Sequence, residues 1–357
     1  MRPAISSKPH GETSLRVAAD LPFVSVLMPV RDEGAYIAQS VASVLAQDYP
    51  ADRLEVIVAD GMSRDGTRET VELLARQHPH LRMIDNPRGI VATGLNAGLR
   101  QARGEIVVRI DGHCEIAPDY VARCVDHLRA GRAEGVGGPV ETVGETPVAR
   151  AIALATSSWF GVGGSPFRTL KGETRLVDTV AFPAYTREIL ARAGPFDEEL
   201  VRNQDDEYNS RLRKMGARVL LAADVHSRYH SRGTLASLWR QYFQYGYWKV
   251  RVMQKHPAQM RPRQFAPPLF VASLASLLLL APFSSLAAHL LLLLAAAYLL
   301  SNLGASLLLA RRSGWHLLPF LPPALATLHL AYGAGFLAGL ARFWRRWKDE
   351  AAERDPR

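Results

Sequence analysis

Glu105-Ile106-Val107-Val108-Arg109-Ile110-Asp111-Gly112-His113 sets aliphatic side chains in near-continuous succession and ends on a carboxylate, a glycine and an imidazole. An aliphatic run without alternation is the pattern of a strand covered on both faces. Just before it, Gly104 closes a helical pattern through Leu95 and Leu99 as a C′ glycine. The same rhythm runs upstream. Phe23 to Pro29 reads as a buried strand, followed by a helix from about Ala35 to Gln47 with Ile37, Val41, Val44 and Leu45 on one face. Leu54 to Asp60 is a second strand, and Asp65 can cap the helix that carries Val71, Leu73 and Leu74. Leu81 to Ile84 is a short third strand. Strand–helix alternation of this kind predicts an α/β domain with a mostly parallel sheet covered on both faces. Ligands of such sheets sit at the carboxyl ends of the strands, where Asp60 and Asp111 both fall.

Downstream of Pro118 the pattern loosens. A helix carries Val121, Val125 and Leu128, Gly135 to Val140 reads as a strand, and Gly161 to Gly172 as a glycine-containing loop, mobile or shaping a substrate cleft. Gln204 to Met215 predicts a helix stopped by Gly216, and Arg218 to Ala222 a last strand. Leu235 to Lys255 is amphipathic, with Trp239, Tyr242, Phe243, Tyr245, Tyr247 and Trp248 beside Arg240, Lys249 and Arg251, a composition suited to a helix in the lipid headgroup layer.

The tail is of another kind. No Asp, Glu, Lys or Arg occurs between Arg263 and Arg311, or between Arg312 and Arg342. A hydrocarbon core of about 30 Å takes roughly 20 helical residues. The first stretch holds two such helices, about Pro267–Phe283 and Leu286–Ala310, and the second holds one, Leu317–Ala341, interrupted by Pro322-Pro323. Three full spans would put Arg342, Arg345, Arg346 and Lys348 across the bilayer from Arg311 and Arg312, whereas basic residues favour one side. The third segment therefore either spans against that tendency or is re-entrant or interfacial. The expected organisation is a flexible N-terminus over 1–21, an α/β domain over 22–233, an amphipathic region over 234–263, membrane helices over 264–342 and a charged tail over 343–357.

The whole chain has 357 residues, 43 Lys+Arg against 34 Asp+Glu, and a net charge of +9. Its patterning excludes disorder, collagen and coiled coil, and its charge-free segments exclude a wholly soluble protein. The clearest basic clusters flank those segments, so the positive excess points to a membrane and not to nucleic acid. Met1 to Asp20 holds no apolar run of signal-peptide length, which predicts a multi-pass protein of the cytoplasmic (inner) membrane with its first domain facing the cytoplasm. Cys114 and Cys124 are too few for a zinc or disulfide framework and read as core residues in a reducing compartment.

Three places carry chemistry. Asp60-Gly61 has an even simpler reading, an Asx turn capping the next helix. Asp111-Gly112-His113 puts a carboxylate and an imidazole two residues apart at a strand end, where they can hold a divalent cation that bridges a diphosphate. Gln204-Asp205-Asp206-Glu207 gathers three acids in a helical first turn. The helix dipole alone favours acids there, and a base pointing into a cleft is the functional reading.

Taken in order, Pro29-Val30-Arg31-Asp32-Glu33, then Val58-Ala59-Asp60-Gly61-Met62-Ser63-Arg64-Asp65-Gly66-Thr67, Arg109-Ile110-Asp111-Gly112-His113, Gly194-Pro195-Phe196-Asp197-Glu198 and the acidic cluster before Arg211-Leu212-Arg213-Lys214-Met215-Gly216 resemble the family-2 inverting glycosyltransferases over roughly residues 22 to 250. The Asp-Gly-His form with C-terminal membrane helices is similar to the succinoglycan-type exopolysaccharide enzymes. The resemblance implies a Rossmann-like nucleotide-diphospho-sugar transferase domain. Pro29, Arg31 and Glu33 would line the nucleotide pocket and Asp60 would hydrogen-bond a uracil. Asp111 and His113 would bind the sugar nucleotide and its Mn²⁺ or Mg²⁺, His113 standing where the family has a second Asp. Asp205 would be the base, with Asp206 the second choice, and Gln241 to Trp248 would be the acceptor side, a loose counterpart of the family's Gln-x-x-Arg-Trp element. The implied activity is inverting, metal-assisted transfer of a hexose from a UDP-sugar to a hydroxyl of a lipid-linked saccharide, in exopolysaccharide or cell-surface glycan synthesis alongside other glycan-assembly proteins. Two alternatives stand beside it: a polyprenyl-phosphate glycosyltransferase, and a catalytically decayed membrane scaffold or nucleotide-sugar sensor, suggested by Gln204 and His113.

Overall fold

The computed structural model describes residues 21–169 and 172–347, so the expected flexible N-terminus and most of the expected charged tail, Lys348 included, lie outside the described residues. The first half alternates as the hydrophobic pattern dictates: β1 (Val24–Val30), α1 (Ile37–Leu45), β2 (Leu54–Asp60), α2 (Thr67–Gln77), β3 (Leu81–Asp85), α3 (Val91–Gln101) and β4 (Ile106–Arg109). Every residue of β1 and β2 is buried, because helices cover both faces. β1 pairs in parallel with β2 and β4, and β2 with β3. β4 is shorter than the aliphatic run because Asp111-Gly112-His113 leaves the sheet and turns into β5 (Cys114–Ile116).

There follow α4 (Tyr120–Arg129), β6 (Gly135–Gly138), β7 (Val140–Val143), α5 (Pro147–Thr156), α6 (Trp159–Val162), α7 (Pro166–Thr169), β8 (Arg175–Leu176), β9 (Ala181–Thr186), α8 (Arg187–Ala193), α9 (Gln204–Lys214), β10 (Val219–Leu221) and β11 (Ser227–His230). Among the described residues the main sheet has eight strands in the order β3-β2-β1-β4-β9-β6-β10-β8. β9 runs antiparallel between β4 and β6, and β8 antiparallel beside β10, so the sheet is mostly parallel. A small second sheet, β5-β11-β7, continues the turn after Asp111. The region expected as a loop over Gly161 to Gly172 is instead partly helical. Ser158 caps α6 by accepting the Gly161 N–H at 3.0 Å, and Gly163 ends it in the left-handed conformation.

The last four helices are α10 (Leu235–Lys255), α11 (Ala266–Leu280), α12 (Ser285–Ser313) and α13 (Leu321–Phe343). Among the described residues three helical segments, Pro262–Leu280, Ser285–Ser313 and Leu321–Arg346, are long and apolar enough to cross a membrane. Pro322-Pro323, expected to interrupt the third, occupies its first turn, where proline lacks only an N–H that has no helical partner. The three are not equivalent. Half of the apolar window of α13 is buried, against 6% and 11% for the other two. What buries it is α10, which lies along it on a glycine seam. A Cβ on Gly246 would sit 2.0 Å from Tyr332 O, and one on Gly335 2.0 Å from Phe243 O. Backbone-to-backbone contact of this closeness leaves no room for a side chain. Gly335→Leu is expected to destabilise the protein by about 3 kcal/mol, the upper end of overpacking costs, read as a lowered midpoint of thermal unfolding in detergent.

Both halves of α13 are also tied to the α/β domain. Leu325 and Leu328 pack with Ile152 and Leu238, and Phe343 O accepts from Gln254 Nε2 at 2.9 Å. Arg346, just beyond α13, pairs with Glu199, which also takes Arg251 at 2.8 Å and Lys255 at 3.0 Å. Burial works against the Glu199 charge, but Arg251 and Lys255 hold its carboxyl down to about 2. The bridge is thus fully present above about pH 4.5, the ordinary carboxyl value, and is lost as pH falls towards about 2. Glu199→Gln is expected to remove about 2 kcal/mol at neutral pH, discounted for partial exposure, and to flatten the acid dependence of unfolding over that interval.

Candidate active site

A cavity of about 1210 Å³ opens at the carboxyl ends of β1 and β4 and continues between the membrane helices. Of the residues expected to form the site, Pro29, Arg31, Glu33, Asp111, His113, Asp205, Asp206 and Gln241 line it. Asp60 and Trp248 do not. Asp60 lies one layer behind the wall, fully buried, where Arg68 grips it at 2.7 Å and the Ser63 N–H donates to it at 3.1 Å. Its Oδ1 has no hydrogen-bond partner. Trp248 is turned towards α13 and packs on Phe343, its ring N–H donating to Gln244 Oε1 at 3.1 Å.

The Asp111 end is set by its turn. A Cβ on Gly112 would meet Val30 Cγ1 at 2.8 Å and Glu33 Cγ at 3.0 Å, so only glycine lets the chain pass here. His113 Nδ1 is 2.8 Å from Glu33 Oε1, and its ring meets Tyr229 edge-on at 4.8 Å. A carboxylate on Nδ1 favours the tautomer that leaves Nε2 as a free acceptor. Asp111 receives Arg109 Nε at 3.1 Å and Nη2 at 2.9 Å, both on Oδ1, which leaves Oδ2 uncommitted.

The Asp205 end is set by α9. Asn203 at its N-cap takes a left-handed φ of 62°, a conformation asparagine tolerates, and donates its Nδ2 to Tyr245 O at 2.8 Å. This aims the first turn into the cavity. Asp205 keeps 45% of its side chain accessible, facing the cavity, and its Oδ2 is 4.0 Å from Arg109 Nη1. Arg109 therefore stands between the two carboxylates. Burial among the cavity walls, and then the neighbouring Asp206, push Asp205 above the ordinary carboxylate range, with Arg109 pulling the other way. The Arg109 guanidinium is itself desolvated, but Asp111 and Asp205 more than offset this and raise its pKa. Asp206 is held differently. It pairs with Lys249, a buried lysine from α10. Gln204 is buried, with an Oε1 that has no hydrogen-bond partner.

Among the described residues no three His, Cys, Asp or Glu side chains group as a metal site. Two side chains that line the cavity do keep a ligand atom outside their hydrogen bonds, Asp111 its Oδ2 and His113 its Nε2. Mg²⁺ and Mn²⁺ in nucleotide sites commonly take one or two protein ligands and complete their shell with substrate phosphates. The residues fit such a shared cation.

Sequence reasoning missed Arg109, although it sits inside the opening motif. The signal was there: a lone cation in an aliphatic run, two residues before Asp111 and hence on the same side of the strand. It also missed the cavity's far wall, where Trp159, Arg168, Arg232, Tyr298, His329 and Tyr332 meet from elements distant in sequence.

Residues 25–193 match glycosyl transferase family 2. Over 330 residues the chain is 32% identical to the succinoglycan biosynthesis protein ExoA of Rhizobium meliloti (strain 1021), covering 90% of this chain and 96% of that one. It is 24% identical over 241 residues to a dolichyl N-acetyl-alpha-D-glucosaminyl phosphate 3-beta-D-2,3-diacetamido-2,3-dideoxy-beta-D-glucuronosyltransferase of Methanococcus voltae, covering 65% and 74% of the two chains. Among solved structures, the mannosyltransferase PcManGT of Pyrobaculum calidifontis, in complex with GDP-Man and Mn²⁺, superposes with a TM-score of 0.58 at 24% identity, covering 88% of each chain, and so shares the fold. Ordered motifs, sheet topology and near full-length similarity agree, and the chain belongs to glycosyl transferase family 2.

Proposed function

We propose that the protein transfers a hexose from a UDP-sugar, with inversion, to a hydroxyl of a lipid-linked saccharide at the membrane surface, in the assembly of an exopolysaccharide or cell-surface glycan. The observation that carries this reading is that Asp111 and Asp205 share one cavity, with Arg109 between them, and that the same cavity runs on between the membrane helices.

Pro29, Arg31 and Glu33 bind the nucleoside end of the donor, and Asp111 and His113 would hold a Mn²⁺ or Mg²⁺ ion. Such an ion would supply stabilisation of the negative charge that gathers on the departing diphosphate. Glu33 fixes the His113 ring for this task. Asp205 takes the proton from the acceptor hydroxyl, a contribution of about 10²–10⁴ in rate. Its raised pKa makes it a stronger base than an exposed aspartate. Arg109 opposes that rise and fixes its distance from Asp111. Asp206, neutralised by Lys249, shapes the local field and does not take the proton. Gln241 contacts the acceptor. One base and direct displacement invert the anomeric carbon.

The membrane arrangement has a simple proposal too. α11 and α12 form a hairpin in the bilayer, and α13 stays docked on α10 and the α/β domain. Arg311, Arg312, Arg342, Arg345 and Arg346 then share the cytoplasmic side with the active site, as basic flanks favour. Anchoring there sets the reacting hydroxyl at a fixed height above the lipid.

The test is a screen of membranes carrying the protein against labelled nucleotide sugars, with lipid extraction. Label in a lipid-linked oligosaccharide supports the reading. Label on polyprenyl phosphate alone assigns the protein to polyprenyl-phosphate glycosylation, and no transfer from any donor assigns it to the scaffold class.

A further inference from the structure

Arg168 of α7 and Arg232, just after β11, both line the cavity and are both half-buried. Among the described residues neither guanidinium has a carboxylate within ion-pair distance, and neither donates a side-chain hydrogen bond. Arg168 instead lies over the rings of Phe167 at 5.4 Å and Tyr229 at 5.6 Å. Glu33 and Asp111 act on Arg232 only through space. Of the other cations of this cavity, Arg109 is committed to Asp111, Lys249 to Asp206, Arg31 to Asp32 at 3.7 Å and Arg263 to Gly164 O at 2.9 Å, while Arg202 is exposed to water. Withdrawing a cation from water without a counter-ion is costly, so a pair of them side by side marks a place for an anion.

Their position says which anion. Both line, with Tyr229 and with Gln241 and Tyr242 of α10, the same cavity as His113, whose ring meets Tyr229. The same cavity is lined by Phe270 of α11 and Leu294 and Ala297 of α12, side chains with no charge. Two free cations opening onto an apolar trough in membrane helices match a molecule with a phosphate ester at one end and a hydrocarbon chain at the other.

We propose that Arg168 and Arg232 hold the phosphate ester of the acceptor's lipid carrier, with its chain in the trough beside Phe270, Leu294 and Ala297. The inference rests on the lipid-linked acceptor proposed above and adds its seat. The donor diphosphate is the other source of the same chemistry, and the test separates the two.

The experiment is binding of farnesyl diphosphate, of farnesol and of UDP to the full-length protein in detergent, followed through the tryptophan fluorescence to which Trp159 in the cavity wall contributes. Arg168→Gln and Arg232→Gln are each expected to weaken farnesyl diphosphate about tenfold, the loss of one charge-assisted bond, and to leave farnesol and UDP within about twofold. Arg-to-Lys at either position recovers part of the loss. Ala297→Trp, which fills the trough, weakens farnesyl diphosphate and farnesol together and spares UDP. The proposal is overturned if the unmutated protein binds farnesyl diphosphate no better than farnesol. It is equally overturned if the arginine variants weaken UDP as much as or more than farnesyl diphosphate, which gives both cations to the donor. Because no sugar moves in this assay, its outcome is independent of whether the transfer reading above succeeds.

Discussion

Asp205→Asn lowers kcat by about 10²–10⁴ while the affinity for the sugar nucleotide stays within about twofold. The size follows from the loss of a positioned base, and the selectivity from geometry. Asn has the shape of Asp, and position 205 touches the donor end only through Arg109, which keeps its two bonds to Asp111. Asp206→Asn is the companion. Its carboxylate is tied to Lys249, so its loss leaves a buried lysine unpaired and costs stability more than rate, about tenfold or less in kcat. Steady-state kinetics on both variants, with donor binding measured separately, checks the assignment. A larger loss at 206 than at 205 transfers the base to Asp206. The pH profile carries the same information. Asp205 must be ionised to act and its pKa is raised, so the acid limb of kcat/KM lies above the ordinary carboxylate range, near 4. A limb at or below that value contradicts the assignment.

Arg109→Leu is expected to cost about 10²-fold in kcat/KM at pH 7 and to move the acid limb up by about one pH unit or more. A cation 4.0 Å from Asp205 favours its ionised form, so removing it raises the pKa of the base and shrinks the ionised fraction at fixed pH. The same change leaves Asp111 without its anchor and brings two like charges into one cavity with nothing between them. Raising the pH recovers the first part of the loss and not the second. A uniform drop in rate with an unmoved limb would show that Arg109 serves structure alone.

The α/β half was legible because its strands are short, aliphatic and punctuated by Gly104, Asp60 and Asp111, so that period and turn chemistry point the same way. The strands after Asp111 were harder. β7, β9 and β11 carry Glu141, Pro183 and Arg228, and they pair with partners far along the chain, so no local periodicity announces them. The extent of α10 was legible, and its surroundings were not: Gly246 reads as a weak spot in a helix until the backbone of Tyr332 and Phe336 of α13 is brought against it. That Asp111, Asp205 and Gln241 line the cavity was legible because each belongs to a local pattern. Arg168 and Arg232 were not, since a lone arginine in a four-residue helix or just past a strand has no pattern and acquires meaning only from the absence of an acid beside it among the described residues. Asp60 shows the opposite case, a strand-end acid that the sequence places at the ligand edge and that Arg68 covers.

The central claim is that one carboxylate acts on the face of the sugar opposite to the departing diphosphate. The anomeric configuration of the bond formed, determined by NMR on the lipid-extracted product of an α-linked nucleotide sugar, tests it most directly. A β linkage is expected from single displacement with Asp205 as base. An α linkage would require a covalent or front-face route for which this cavity assigns no nucleophile, and would contradict the account.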